Sequence, residues 1–231
     1  MHNQVTSFWN HIVALFVPII IFMVVGGLRR SLLEIHHGIL AVLAALGLAR
    51  LITQFLKHRV GRLRPDFLAR CKWDKVLEAC TGKEQTIVDG RKSFPSGHSS
   101  TAFSGMFLLS LWLAGQTAAW CFHVPRPART ISSSQMTRFI LTLLPISWAT
   151  FVAISRVEDY RHHKEDVIVG SLIGIASAWI CYLIFWPNPF SAANFDQRAF
   201  GHPRLLYTDK EYERTVDFEL TALEDDAANV V

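Results

Sequence analysis

The sequence predicts an all-α membrane protein, a polytopic transmembrane helical bundle with about five spans. Three observations lead there. Hydrophobic residues make up 51% of the 231-residue chain, whose mean hydropathy is +0.26. They are gathered into long runs instead of being interrupted every few positions, as a soluble domain would have them. A helix needs ~20 mostly apolar residues to cross the hydrocarbon, and five runs are read as such spans, at residues 8–28, 33–56, 99–122, 139–154 and 167–186. Too little chain remains for a separate soluble domain. Residues 1–186 read as one membrane-embedded domain and 187–231 as an acidic, flexible tail ending in ELTALEDDAANVV.

The first run reads as a retained span, because its leader MHNQVTS carries no Lys or Arg and the apolar stretch is long for a signal peptide. The second contains Arg50, seven residues before Lys57 and on nearly the same helical face. Arg50 either extends a cationic pocket toward a lipid headgroup or snorkels to the membrane rim. The third run starts just after PSGH, where a proline ahead of the first turn removes no needed N–H. The fourth is short, with Thr137 and Ser155 available to extend it into the interface. The fifth carries Gly170, Gly174 and Ala178 as a small-residue stripe, read as a packing face within one subunit, with a homo-oligomer contact as the alternative. Trp9, Trp120 and Trp186 lie near span ends and read as interfacial anchors.

The four cysteines show neither C-x-x-C nor metal-ligand spacing. Cys121 and Cys181 read as small buried residues. Cys71 and Cys80 share one loop; they pair if it faces an oxidising compartment and stay free thiols if it faces the cytosol.

Crossing parity says more than composition. The loop at 57–95 and the polar stretch at 155–166 fall on the same face, as does the N-terminus. Three clusters therefore converge there: KHRVGRLRP (57–65), KSFPSGHSS (92–100) and SRVEDYRHHKED (155–166). They supply Lys57, Arg59, Arg62, Arg64, Lys92 and Arg156 as cations, with His98, His162 and His163. Lys and Arg flank membrane helices routinely, but three such clusters at one rim imply an anion, and histidines among them imply proton transfer or nucleophilic attack. Ser96 and Gly97 offer backbone N–H groups at a helix N-terminus, which suits phosphate. His162 and Asp166 are four apart, so in a helix the carboxylate would reach one ring nitrogen and leave the other free. Asp159 stands in the same relation to His163, and spacing alone leaves the choice between the two histidines open.

The pattern Lys57 with Arg64-Pro65, then Pro95-Ser96-Gly97-His98, then Ser155-Arg156 with His162 and Asp166, resembles the three motifs of the type 2 phosphatidic acid phosphatase superfamily. The run VGRLRPDFLARC is similar to its lipid phosphate phosphatase and diacylglycerol pyrophosphate phosphatase branch. The resemblance spans roughly residues 8–186. It implies His162 as the nucleophile that forms a phosphohistidine, Asp166 as its orienting partner and His98 as general acid and then base. It also implies that Lys57, Arg64, Arg156, Ser96 and Gly97 hold the phosphate, and that His163 is a bystander. No metal or cofactor is implied, since three cations can neutralise the phosphoryl oxygens. The implied partners are the bilayer and a lipid phosphate substrate, with no nucleic acid. The family usually has six spans where this chain shows five, and its active face is lumenal or extracellular. A phospho-headgroup transferase using the same histidine, or an inactive lipid-binding relative, are the competing readings.

Overall fold

The computed structural model describes residues 3–122 and 134–191, together with Pro203. Apart from residues 187–191 and Pro203, the acidic tail expected at 187–231 lies outside the described residues. The elements in order are α1 (Ser7–Leu28), α2 (Leu32–Val60), α3 (Phe67–Cys71), β1 (Trp73–Asp74), β2 (Ala79–Cys80), α4 (Glu84–Gly90), α5 (Gly97–Thr117), α6 (Gln135–Glu158) and α7 (Lys164–Phe185). The two short strands form an antiparallel hairpin with Trp73 opposite Cys80.

The five long helices coincide with the five predicted runs. Four of them, α1, α2, α6 and α7, are long and apolar enough to cross a membrane. The fifth, α5, has the length but not the hydropathy, and its position explains why. It packs against α1, α2, α6 and α7 and is the most buried helix, so Ser99, Ser100, Ser104 and Ser110 sit inside the bundle. Ser110 donates to the Thr142 carbonyl (2.8 Å), and Thr53 donates to Ser100 Oγ (3.0 Å). Many large apolar side chains turn outward, including Phe16, Ile20, Leu51, Leu144, Phe151 and Leu172. That inversion suits a lipid surround.

Helix ends follow capping chemistry. Thr6, Ser31, Ser96 and Ser134 each accept a backbone N–H at the start of α1, α2, α5 and α6. Helix α2 runs beyond the expected residue 56 to Val60 and stops at Gly61, whose φ of +63° is the left-handed C-cap. Lys57 therefore stands on a helix. Helix α6 extends past residue 154 to Glu158 and carries Arg156 in its last turn.

The stripe on α7 is a packing face within the chain. A Cβ added at Gly170 would meet the Ser96 carbonyl at 2.5 Å, and one at Gly174 the Ser100 carbonyl at 2.5 Å. Gly105 does the same for α1, where a Cβ would lie 2.0 Å from the Ala14 carbonyl oxygen. Backbone cannot yield as a flexible side chain can. Gly105→Ala is expected to cost about 1–3 kcal/mol by overpacking and to lower the melting midpoint in detergent, while Gly27→Ala, with open space around it, leaves it near wild type.

Trp186 is not at an interface: it is 1% exposed, stacked on Phe22 and Tyr182 with centroids 5.6 Å away in each case. The larger aromatic cluster outweighed its position at a span end. Cys71 and Cys80 form a disulfide, and Cys121 and Cys181 are free and buried.

Candidate active site

The site lies where five chain segments meet at one end of the bundle. Backbone hydrogen bonds fasten the three predicted clusters together. Ser93 N–H donates to the Arg62 carbonyl (2.9 Å), Arg64 N–H to the Gly90 carbonyl (2.9 Å), and Ser96 N–H to the Asp166 carbonyl (2.8 Å). The segment before α1 joins them: Gln4 N–H donates to Asp159 (3.1 Å) and Asn3 accepts from Arg156 (2.7 Å).

A cavity of about 230 Å³ opens at this junction, lined by Asn3, Arg64, Arg70, Asp89, His98, Arg156, Arg161 and His162. His98 and His162 both reach it from opposite elements, α5 and the α6–α7 turn. His98 Nε2 and His162 Nδ1 are buried and have no hydrogen-bond partner within the protein. The histidine ambiguity takes a clear geometric form. His162 is 3% exposed and faces the cavity, whereas His163 caps α7 and its Nε2 lies 3.2 Å from the Leu63 carbonyl, outside the cavity lining. Asp159, the competing carboxylate, belongs to Arg156 at 3.0 Å.

The expected helical relation between His162 and Asp166 is replaced by another geometry. Helix α7 begins only at Lys164, with His163 as its N-cap, and Asp166 Oδ2 lies 3.8 Å from His162 Nδ1, beyond hydrogen-bond length. The buried Asp166 carboxylate is held instead by Arg62 Nη1 (2.9 Å), by the His163 backbone N–H (3.1 Å) and by the Ser93 hydroxyl. Asp166 is thus the node through which all three clusters are tied, one van der Waals contact from the imidazole. Burial, with Arg64 and Lys57 nearby, pushes His162 below the ordinary imidazole range, against the opposing pull of Asp166. A neutral ring with a free lone pair is the consequence.

The predicted phosphate ligands divide. Arg64 and Arg156 line the cavity; Arg64 Nη2 also donates to Asp89 (3.0 Å), and Arg156 is 1% exposed, bonded to Ser155 Oγ, Asn3 and Asp159. Lys57 stands against the start of α5, its Nζ 3.2 Å from where a Gly97 Cβ would be, so a side chain there would press on the ammonium. Ser96 turns its N–H to Asp166 and its hydroxyl to Ser99, away from an anion role in this arrangement. Arg50 is elsewhere: it is exposed and lines a separate, mainly apolar cavity with His11, Leu15, Leu43, Leu46, Gly47 and Thr101. Arg59 lies over the Phe55 ring, 5.6 Å away. Sequence reasoning missed Asn3, Arg70, Asp89 and Arg161. Two of them carry a local signal, Arg161 as one more cation in the third cluster and Arg70 within the run VGRLRPDFLARC. Among the described residues no group of three or more His, Cys, Asp or Glu is placed to hold a metal.

This arrangement can bind a tetrahedral anion between guanidinium groups and present a neutral imidazole to it. The sequence profile of the PAP2 superfamily matches residues 38–190. Among curated proteins the chain is similar to Lipid phosphate phosphatase 2 of Arabidopsis thaliana, 32% identical over 87% of this chain and 69% of that one. It is also similar to Lipid phosphate phosphatase 1 of the same plant (36%, covering 86% and 60%) and to Probable diacylglycerol pyrophosphate phosphatase 1 of Schizosaccharomyces pombe (34%, covering 85% and 70%). The chain spans between 60% and 70% of the length of these relatives. No solved structure matches it significantly. The chain belongs to the PAP2 superfamily.

Proposed function

We propose, from that membership, that this membrane protein is a lipid phosphatase hydrolysing phosphomonoester or pyrophosphate lipids, such as phosphatidate, lysophosphatidate or diacylglycerol pyrophosphate, through a phosphohistidine at His162. The observation that carries the reading is one cavity with two imidazoles and four arginines on its walls, Arg64 and Arg156 among them. His162 Nε2, the ring nitrogen away from Asp166, attacks phosphorus while Asp166 supports the charge that develops on the ring. Arg64, Arg156 and Lys57 neutralise the equatorial oxygens, the task a divalent ion performs elsewhere. His98 gives a proton to the departing oxygen and later takes one from the attacking water. The negative charge of a bound phosphate is what makes a protonated His98 tolerable among these cations.

Purified protein is expected to release inorganic phosphate from a panel of lipid phosphates in EDTA, and orthovanadate, which can adopt five-coordinate geometry, is expected to inhibit. Loss of activity in EDTA that Mg²⁺ restores contradicts the cation-only mechanism. A new phospholipid in place of free phosphate would indicate a transferase.

The active face is read as lumenal or extracellular. The Cys71–Cys80 disulfide supports this, because such bonds persist in oxidising compartments. A membrane-impermeant thiol probe is expected to leave both cysteines unlabelled from the cytosolic side of sealed vesicles; labelling there without prior reduction contradicts the assignment.

A further inference from the structure

The cavity carries more arginine than one phosphate requires. Besides Arg64 and Arg156, it is lined by Arg70 and Arg161, which come from α3 and the α6–α7 turn. The carboxylates are unevenly shared among them. Arg156 has Asp159 at 3.0 Å, Arg64 has Asp89 at 3.0 Å, and Arg70 has Asp66 at 2.9 Å and Asp89 at 2.7 Å. Arg161 reaches only Asp66, at 3.5 Å, through the same oxygen that already accepts from Arg70. Its Nε is buried and has no hydrogen-bond partner within the protein. Arg161 is therefore the least compensated guanidinium on the wall, and it stands next to His162 in the chain. The cavity's ≈ 230 Å³ is roughly the liquid volume of seven to eight waters, more space than the transferred phosphoryl alone fills.

We infer that Arg161 and Arg70, joined across Asp66, form a second anion subsite that receives the non-transferred phosphate of a pyrophosphate lipid. The inference rests on His162 as the nucleophile and names which substrate class the same cavity is built to take. When His162 Nε2 attacks the terminal phosphorus, the bond from that phosphorus to the bridging oxygen breaks. The electron pair stays on that oxygen, which becomes a non-bridging oxygen of the departing phosphatidate. Water then displaces His162 from phosphorus, giving inorganic phosphate and the free imidazole. A monoester leaves instead as an alkoxide, which needs the His98 proton. The two leaving groups therefore call for different help: a proton in one case, fixed positive charge in the other. Guanidinium suits the second, being permanently charged and forked toward phosphate oxygens. Asp89, whose side chain is 52% exposed, bridges Arg64 and Arg70 and can swing toward solvent as the substrate's oxygens replace it.

The test uses the full chain with Arg161→Gln and Arg161→Lys, measuring kcat/KM for diacylglycerol pyrophosphate and for phosphatidate. Losing a charge-assisted contact predicts that the ratio of the two falls about tenfold or more in Arg161→Gln, with Arg161→Lys partly restoring it. A second readout needs no turnover: binding of methylenebisphosphonate should weaken by a similar factor relative to methylphosphonate. Equal losses for both lipids, or an unchanged phosphonate ratio, would overturn the subsite. Should the wild-type protein hydrolyse neither lipid, the proposed function fails, and the phosphonate ratio still decides the inference.

Discussion

His162→Ala is expected to lower turnover by roughly 10⁴-fold or more, the scale of removing a covalent nucleophile, while His163→Ala retains most activity. The two residues are adjacent, yet only His162 faces the cavity, and His163 makes its contacts with the Leu63 carbonyl and with Asp166 through its backbone N–H. A His163 side-chain deletion keeps that N–H, so Asp166 stays held. A clean split between the variants is hard to blame on misfolding. Inactivity of His163→Ala with activity in His162→Ala would reverse the assignment. The pH dependence follows from the same burial. Protonating His162 removes the attacking lone pair, so activity falls as pH drops through its pKa. Because burial and the neighbouring cations depress that pKa, the acid limb of kcat/KM is expected below about 6.5, the ordinary imidazole value.

The second large effect is at His98, and it depends on the leaving group. For phosphatidate the departing alkoxide needs a proton, and His98→Ala is expected to cost about 10²–10⁴-fold, the usual yield of general acid catalysis. For p-nitrophenyl phosphate the leaving phenolate needs little help, so formation of the phosphoenzyme is slowed far less. Its hydrolysis still lacks the base that activates water. The variant should therefore show a burst of nitrophenol followed by slow turnover, with phosphorylated protein accumulating. An equal loss on both substrates, with no burst, would place His98 outside proton transfer.

The sequence shows more of the bundle than of the site. Long apolar runs identify membrane helices because the hydrocarbon imposes a length and a composition that few other environments demand. Helix α5 tests that rule: its serines and glycines depress its hydropathy because other helices, not lipid, surround it. Crossing parity puts the motif residues His98, Arg64, Arg156 and His162 on one face, and the structure brings these four to one cavity. What sequence could not show depends on loops. The spacing of His162 and Asp166 predicts a helical i,i+4 pair, whereas their approach comes from the capped first turn of α7, with the His163 N–H, and from two donors distant in sequence, Arg62 and Ser93. Asn3 is more than 150 positions from Arg156 yet bonds it, and Asp89 and Arg70 enter only because the loop after α2 folds back over the helix ends. Arg50, seven residues before Lys57 on the same helix, lines a different cavity.

The mechanism proposed for this site requires a phosphoryl group carried covalently on His162. Rapid alkaline quenching of the purified protein during turnover, followed by peptide mapping, tests it directly. The predicted result is one phosphoryl group on the peptide bearing His162, lost on acid treatment and absent from His162→Ala. A phosphoryl group on His163 or on a Ser, Asp or Glu side chain would contradict it, as would a His98→Ala protein that turns over p-nitrophenyl phosphate slowly without ever carrying phosphate.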